Sequence, residues 1–323
     1  MQPSESRPPL VSVIIPNYNH APFLKERIDS VLSQELKDME IILLDDCSTD
    51  ASCSIIRSYS GHPLVGHVVC NDNNSGSTFA QWKRGLELAS GTYVWIAESD
   101  DCADSRFLSI LVPLLEADEN AVVAYCGSHI IDASGNVIPG ADWDKIKAGD
   151  PVVEVLDPQA MVRRNLLMNN GIYNASMAVF RREAAPPIDM ELTSMKFCGD
   201  WKFWSELVRG GNSIRVRERH NCFRQHALKV SPSASKEGLT YSEGFGVING
   251  MADFLKLTPI QRKVLAGRTF KRLRRFPSLS PTHDMHIRQG FESLLRGDDW
   301  KKPRRLMMLY ELDKVLNFSH LYD

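Results

Sequence analysis

The stretch VSVIIPNYN at residues 11–19 decides the fold, because an apolar β-branched run passes directly into polar side chains. Val11 to Ile15 is apolar on both faces, which is typical of a buried parallel strand, and Pro16 is expected to end it. A helix is predicted from about Pro22 to Gln34, with the proline at a tolerated first-turn position. This order indicates the first unit of an α/β sheet.

The same pattern recurs along the first third of the chain, where short apolar runs alternate with helical ones. Such alternation predicts a mainly parallel, doubly wound sheet with right-handed crossovers. The predicted strands are Glu40 to Leu44, Leu64 to Cys70 and Tyr93 to Ala97, and the predicted helices end near Tyr59 or cover Ser77 to Ala89 and Ser105 to Glu116.

Regular alternation stops near residue 130. The strand AVVAYCG leads into a turn-rich passage at Asp132 to Asn136, which predicts a hairpin and a small mixed sheet. Further elements are expected as a helix near Pro158 to Arg164, a strand over Asn174 to Arg182, and an amphipathic helix over Asp200 to Arg209 closed by two glycines. After a flexible loop beginning at Ser231, helical patterns predict a C-terminal extension. We therefore expect three parts, residues 1–130, 131–235 and 236–323.

Composition excludes several classes of protein. The chain has 323 residues and a formal net charge of -2, so no global field recruits nucleic acid. Its seven cysteines are scattered without a CxxC pair, which argues against a disulfide framework or a zinc site. The N-terminal residues lack an apolar signal core, and no stretch approaches the roughly 20 apolar residues of a membrane span. A cytoplasmic enzyme is expected.

Three polar clusters follow predicted strands, at Asn17 to Asn19, at Asp45 and Asp46, and at Glu98 to Asp101. In open α/β sheets the carboxyl ends of the strands form the ligand crevice, so these clusters should converge. The last one supplies hard oxygen ligands suited to Mg²⁺ or Mn²⁺, which would neutralise a diphosphate. The alternative is that each acid only caps the next helix.

Four motifs in order resemble the inverting family-2 glycosyltransferases over roughly residues 11 to 130. They are VSVIIPNYN, EIILLDDCSTD, NDNNSG and LASGTYVWIAESDD. The segment SGSTFAQWKRGLELASGTYVWIAESDD is similar to a subgroup from bacterial polysaccharide clusters. The resemblance implies a metal-dependent transfer from a nucleoside diphosphate sugar, most often of UDP, to a saccharide or lipid-linked saccharide acceptor. It also implies a nucleotide-binding half at 1–130 and an acceptor-binding half at 131–235.

The resemblance assigns roles to residues of the first half. Pro16 and Tyr18 match the lining of the nucleoside pocket, where an aromatic ring packs on the base. Asp45 matches the acid that binds the base. Asp100 matches the principal metal ligand, with Glu98, where the family more often has aspartate, and Ser99 beside it on the donor side.

One family motif is replaced in this chain. The usual Ala-Arg-Asn is absent, and Gln81, Trp82 and Lys83 stand in its place, which makes Lys83 the candidate cation for the nucleotide. Trp82 is interpreted either as ordinary core packing or as a binding residue.

The second half supplies a candidate base and a second metal ligand. Asp200 in CGDWKFW resembles the family's catalytic carboxylate, which acts as a base and removes the acceptor's proton. Gly199 replaces the residue that usually precedes this aspartate. A helix N-cap is the alternative role for Asp200. Arg224 and His226 in NCFRQHALKVS resemble an aromatic-Arg-x-His element that closes over the diphosphate and adds a metal ligand; the alternative for His226 is a structural histidine.

Further residues keep two interpretations. Glu206 is interpreted as a solvated helix residue, and Asn174 and Ser176 either face the acceptor or simply belong to a strand surface. The basic cluster KRLRR from Lys271 to Arg275 is either a solvated face or a contact with an anionic membrane that carries the acceptor.

Two other classes of function compete with a glycosyltransferase. Nucleotidyl transfer normally needs a glycine-rich, basic phosphate loop near the first strand, and PNYNHAPF lacks one. A noncatalytic nucleotide-binding or carbohydrate-binding module remains the second hypothesis.

Overall fold

The computed structural model describes residues 7–141, 143–144, 151–226, 239–274 and 281–321. Their contacts divide the chain into two compact units. Unit 1 comprises residues up to Pro158, Ile172–Ser194 and Glu206–Ala227, and unit 2 comprises Gln159–Gly171, Met195–Ser205 and the residues from Leu228 onward. The predicted boundaries at residues 130 and 235 stay predictions.

Unit 1 contains one nine-stranded sheet. Its strands are β1 Val11–Asn17, β2 Met39–Asp45, β3 Val65–Cys70, β4 Tyr93–Ile96, β5 Cys102–Ala103, β6 Ala121–Ile131, β7 Val153–Leu156, β8 Ala178–Arg181 and β9 Asn212–Arg224. They lie in the order β3-β2-β1-β4-β8-β6-β9-β5, and β7 pairs with β9.

The first four strands in this order are parallel, and the remainder is mixed. β2 and β4 flank β1 in parallel, and β3 extends the sheet beyond β2. β8 is antiparallel to both β4 and β6, so the mixed part continues the same sheet. The predicted α/β fold class is confirmed, and the mixed strands join the parallel ones edge to edge.

Pro16 does not end β1, which was a wrong prediction. The strand continues to Asn17, with Pro16 opposite Leu44 of β2. The pairing of β1 with β4 stops at Ile14, so β1 has only β2 as a partner at this level and the missing N–H of Pro16 is tolerated.

Helices lie on both faces of the parallel strands in unit 1. The helices of the first part of the chain are α1 Ala21–Leu32, α2 Ser52–Ser58, α3 Thr78–Leu88 and α4 Phe107–Ala117. Two short helices follow, α5 Pro158–Met161, whose residues are divided between the two units, and α6 Met190–Ser194. One core joins β1 and β2 to α1 and α4. On the other face α3 approaches β1 so closely that a Cβ on Gly85 would lie 2.3 Å from Ile14. This double layering is what the alternation predicted.

The C-terminal part of unit 2 is helical, as predicted. Its helices are α8 Leu239–Ser242, α9 Gly244–Phe254, α10 Pro259–Leu273, α11 Pro281–Leu295 and α12 Pro303–Leu316; α7 Gly199–Leu207 precedes them in the chain. Phe270 of α10 stacks on Phe291 of α11 with ring centroids 3.7 Å apart. The loop predicted after Ser231 lies outside the described residues. Within the described ranges, no helix has both the length and the apolar character needed to cross a bilayer.

Candidate active site

The acidic element Glu98–Asp101 follows β4 at the carboxyl end of the parallel strands. Its last member, Asp101, is fully buried and acts as a structural anchor. One carboxylate oxygen accepts hydrogen bonds from Asn174 and Ser176 at 2.8 Å each, and the other accepts the backbone N–H of Arg224 at 3.0 Å. Asp101 therefore ties the acidic element to the segment before β8 and to the end of β9.

A buried arginine of α1 accompanies this anchor. The Nε of Arg27 donates to the carbonyl of Glu98 at 2.8 Å, and one Nη lies 4.0 Å from the Asp101 carboxylate. Burial lowers the pKa of Arg27, and Asp101 opposes that shift. Among the described residues, neither Nη atom of Arg27 has a hydrogen-bond partner. The guanidinium therefore depends on Asp101 for its charge compensation.

Arg224 is buried and donates hydrogen bonds from all three nitrogens of its guanidinium group. Its Nε donates to the carbonyl of Asp100 at 2.7 Å, and one Nη donates to Glu26 at 2.6 Å. The other Nη reaches the carbonyls of Asp132 and Ala133 at 3.2 Å. These bonds orient the acidic element, and a direct contact of Arg224 with a diphosphate stays a prediction.

Asp100 and His226 lie side by side. The Nε2 of His226 is 2.9 Å from a carboxylate oxygen of Asp100. The side chain of His226 is 3% exposed and that of Asp100 is 13% exposed. The structure thus brings together the two predicted metal ligands, although they are more than a hundred residues apart in the chain. A carboxylate oxygen beside an imidazole nitrogen is a donor set that suits a divalent transition metal.

Glu98 turns away from these ligands toward α3. Its Oε1 accepts a 2.9 Å hydrogen bond from the indole N–H of Trp82, which is buried. Burial, and next the charge of Asp100, raise the pKa of Glu98 to about 8. Trp82 therefore combines the two interpretations, since it is core packing and also a contact of the acidic element.

The second acidic pair, Asp45 and Asp46 at the end of β2, accepts hydrogen bonds from neighbouring residues. Asp45 accepts from Asn17 at 2.7 Å and from the hydroxyl of Ser48 at 2.6 Å. Asp46 accepts from Ser75 at 2.7 Å and from Gln81 at 2.8 Å. These bonds hold the polar ends of the parallel strands together, and the predicted contact of Asp45 with a base is untested.

Tyr18 and Lys83 differ in how they are placed. Tyr18 follows β1 directly and its side chain is 47% exposed, beside the buried Pro16, so its ring is open to a stacking partner. Lys83 lies on the exposed side of α3, whereas its neighbours Gln81 and Trp82 are buried against the strand ends. Within the described ranges, Lys83 makes no hydrogen bond or ion pair, and its role toward the nucleotide stays a prediction.

Asp200 lies in the first turn of α7 and belongs to unit 2. Its carboxylate accepts from the amide of Asn170 at 2.9 Å and from the backbone N–H of Trp201 at 2.7 Å. Burial raises the pKa of Asp200 to about 7, and the two hydrogen bonds oppose that shift. A carboxylate that titrates near neutrality suits a general base, and the helix N-terminal position coexists with that chemistry.

Sequence reasoning missed three residues of this region: His20, Glu26 and Arg27. Arg27 had a detectable signal, because it shares the buried face of α1 with Leu24, Ile28 and Val31. A cation in an apolar stripe requires a buried partner. Glu26 and His20 gave no such signal, since their partners Arg224 and Ser99 lie far away in the chain.

The sequence model of the family Glycosyl transferase family 2 matches residues 12–187, which is more than half of the chain. The chain therefore belongs to this family. Family membership places the protein among the glycosyltransferases. TuaG of Bacillus subtilis, named for teichuronic acid biosynthesis, is 42% identical over 93 residues. That match covers 29% of this chain and 36% of TuaG, so the chain corresponds to about a third of that relative.

Solved structures with a similar fold cover nearly all of the chain. S. aureus TarS 1-349 in complex with UDP-GlcNAc superposes with a TM-score of 0.65 at 16% identity, covering 97% of this chain and 88% of that one. The mannosyltransferase PcManGT from Pyrobaculum calidifontis, in complex with GDP-Man and Mn²⁺, gives 0.51 at 15% identity, covering 97% and 89%. At these identities the likeness is one of fold.

Proposed function

We propose that the protein is an inverting glycosyltransferase that moves a sugar from a nucleoside diphosphate sugar, with UDP as the nucleotide, to a saccharide or lipid-linked saccharide acceptor of a surface polysaccharide. The observation that carries the proposal is the pairing of Asp100 with His226 at the carboxyl end of the parallel strands. A family-2 match and a relative named for teichuronic acid biosynthesis support the same class of reaction.

In this proposal Asp100 and His226 hold Mn²⁺ or Mg²⁺. The donor set supports it, because the carboxylate and imidazole atoms lie 2.9 Å apart in a largely buried position. Two ligands bound in cis to one ion at about 2.1 Å are about 3.0 Å apart. When bound, the ion neutralises the charge that develops on the leaving diphosphate.

The chain's own residues orient the donor around that position. Tyr18 offers an exposed ring, next to Pro16, on which the nucleobase of the donor can stack. Asp45 anchors the loop beside it through its hydrogen bond with Ser48. Glu98 and Ser99, which follow β4, are assigned to the donor side in this proposal. Arg224 keeps the backbone of Asp100 in place.

Asp200 is the proposed base. Inversion at the anomeric carbon needs a carboxylate that takes the acceptor's hydroxyl proton as the diphosphate leaves from the opposite face. The pKa of Asp200, raised by burial to about 7, makes it a stronger base than an ordinary aspartate. Asn170 limits the shift and holds the carboxylate in one orientation.

Release of UDP from a panel of UDP-sugars tests the proposal. With Mn²⁺ and saccharide acceptors, we expect turnover that EDTA abolishes and that added metal restores. Binding of UDP without turnover of any donor would instead favour the noncatalytic nucleotide-binding or carbohydrate-binding module. Full turnover in EDTA would contradict the metal assignment.

Peripheral contact with an anionic membrane is proposed for the C-terminal helices of unit 2. Lys271 pairs with Glu311, and Arg272 donates to the carbonyl of Met168, so both have structural roles. Arg274 is exposed, as are Arg304 and Arg305 at the start of α12; Arg275 lies outside the described residues.

Vesicle flotation tests this contact. A basic side chain near an anionic surface contributes about 1 kcal/mol, so Arg304→Gln with Arg305→Gln should weaken binding to phosphatidylglycerol vesicles by more than about tenfold. Zwitterionic vesicles serve as the control. Equal flotation with both lipids, or no effect of the double substitution, would contradict the proposal.

A further inference from the structure

A third potential ligand lies beside Asp100 and His226. His20, in the loop between β1 and α1, places a ring nitrogen within 4.8 Å of the ligand atoms of both. Its ring meets that of His226 edge to face, with centroids 5.5 Å apart. Three separate segments of unit 1 thus bring two imidazoles and one carboxylate to one point.

The spacing of these atoms fits a single ion. Ligands at about 2.1 Å from a metal are about 3.0 Å apart in cis and about 4.2 Å apart in trans. The three ligand atoms lie within 4.8 Å of one another, so side-chain movements of up to about 1 Å would bring them around one ion.

The surroundings fix the orientation of both rings. The Nδ1 of His20 lies 2.9 Å from the hydroxyl of Ser99, a second-sphere contact of the kind that orients metal-binding histidines. Phe23 packs against the ring of His226 with centroids 4.8 Å apart. The Nδ1 of His226 is buried, and among the described residues it has no hydrogen-bond partner. A cation bound beside the Asp100 carboxylate would compensate its charge in this largely buried position.

We infer that His20 is a third protein ligand of the metal, which gives a site of two histidines and one aspartate. This inference rests on the proposed function, because it concerns the same ion. Two nitrogen donors favour transition metals over Mg²⁺, whose preferred ligands are oxygens. The site should therefore select Mn²⁺ or Co²⁺ over Mg²⁺.

Titration of the full chain with Mn²⁺ alone, without nucleotide, tests the inference. The paramagnetic resonance signal of free Mn²⁺ reports the bound fraction independently of activity. We expect His20→Ala to weaken Mn²⁺ binding by at least about tenfold, in the range that loss of a metal-site contact produces. We expect its effect on Mg²⁺ binding, measured by competition, to be smaller because the remaining oxygen donor is unchanged.

His286→Ala is the matched control, since His286 is an exposed histidine on α11. His20→Gln keeps a polar partner for Ser99 and replaces the alanine variant if that variant does not fold. Wild-type affinity for Mn²⁺ in a folded His20 variant would overturn the inference and leave the proposed function standing. Absence of Mn²⁺ binding in the wild type, with or without UDP, would overturn both.

Discussion

Asp200→Asn is expected to reduce turnover by about 10²–10⁴-fold, the range for loss of a general base, while affinity for the nucleotide-sugar donor is retained. The amide has nearly the same shape but cannot accept a proton. The wild-type carboxyl group has a pKa of about 7. Because the base acts only when deprotonated, kcat/KM of the wild type should rise with pH through about 7 and level off above it.

Steady-state UDP release between pH 5.5 and 9, with donor affinity measured by calorimetry, checks this prediction. Glu206→Gln is the control, because it makes the same kind of change at a second, half-buried acidic residue of the same helix. Asn170→Ala should move the rising limb to higher pH, since the amide of Asn170 lowers the pKa of Asp200. Turnover of Asp200→Asn within a few-fold of wild type would exclude Asp200 as the base.

Asp101→Ala is expected to be the most destabilising single change in the acidic element. It removes the acceptor of Asn174, Ser176 and the backbone of Arg224, and it leaves the buried guanidinium of Arg27 without its carboxylate. Breaking a buried ion pair from one side costs about 3–5 kcal/mol. The midpoint of urea unfolding, followed by circular dichroism, should fall accordingly.

A double-substitution cycle separates the charge effect from the lost hydrogen bonds. Arg27→Met with Asp101→Ala should be less destabilised than the sum of the single variants, because no unpaired charge remains. Glu119→Ala, at an exposed carboxylate just after α4, controls for loss of a carboxylate in general. Strict additivity of the two substitutions would show that Arg27 and Asp101 are not coupled.

The parallel part of the fold could be predicted from local sequence, because each strand is a short apolar run followed by polar residues. The mixed part could not be predicted to the same extent. β9 alternates as NSIRVRERHNCFR, with buried and charged positions that locally resemble a surface segment, yet it pairs with β5, β6 and β7. Its pairing with β6 joins residues about ninety positions apart, and no local pattern encodes that partner.

The positions of Asp45 and Asp100 just at or after a strand end could be predicted from the sequence, because each follows a short apolar run. Contacts between residues that are distant in the sequence were less predictable. Asp100 and Asp101 look alike in sequence, but Asp100 contacts His226. Asp101 instead accepts hydrogen bonds from Asn174 and Ser176 and pairs with Arg27. Burial and partners, which only the fold defines, separate a proposed metal ligand from an adjacent structural carboxylate.

Calorimetric titration of UDP into the wild type and into Asp100→Ala, each in Mn²⁺ and in EDTA, tests the central assignment most directly. We expect wild-type affinity for UDP to fall by at least about tenfold in EDTA, because the proposed ion links the protein to the diphosphate. We expect Asp100→Ala to bind UDP, in Mn²⁺ and in EDTA alike, only as weakly as the wild type does in EDTA. Equal affinity of the wild type in Mn²⁺ and in EDTA, unchanged in Asp100→Ala, would contradict the account.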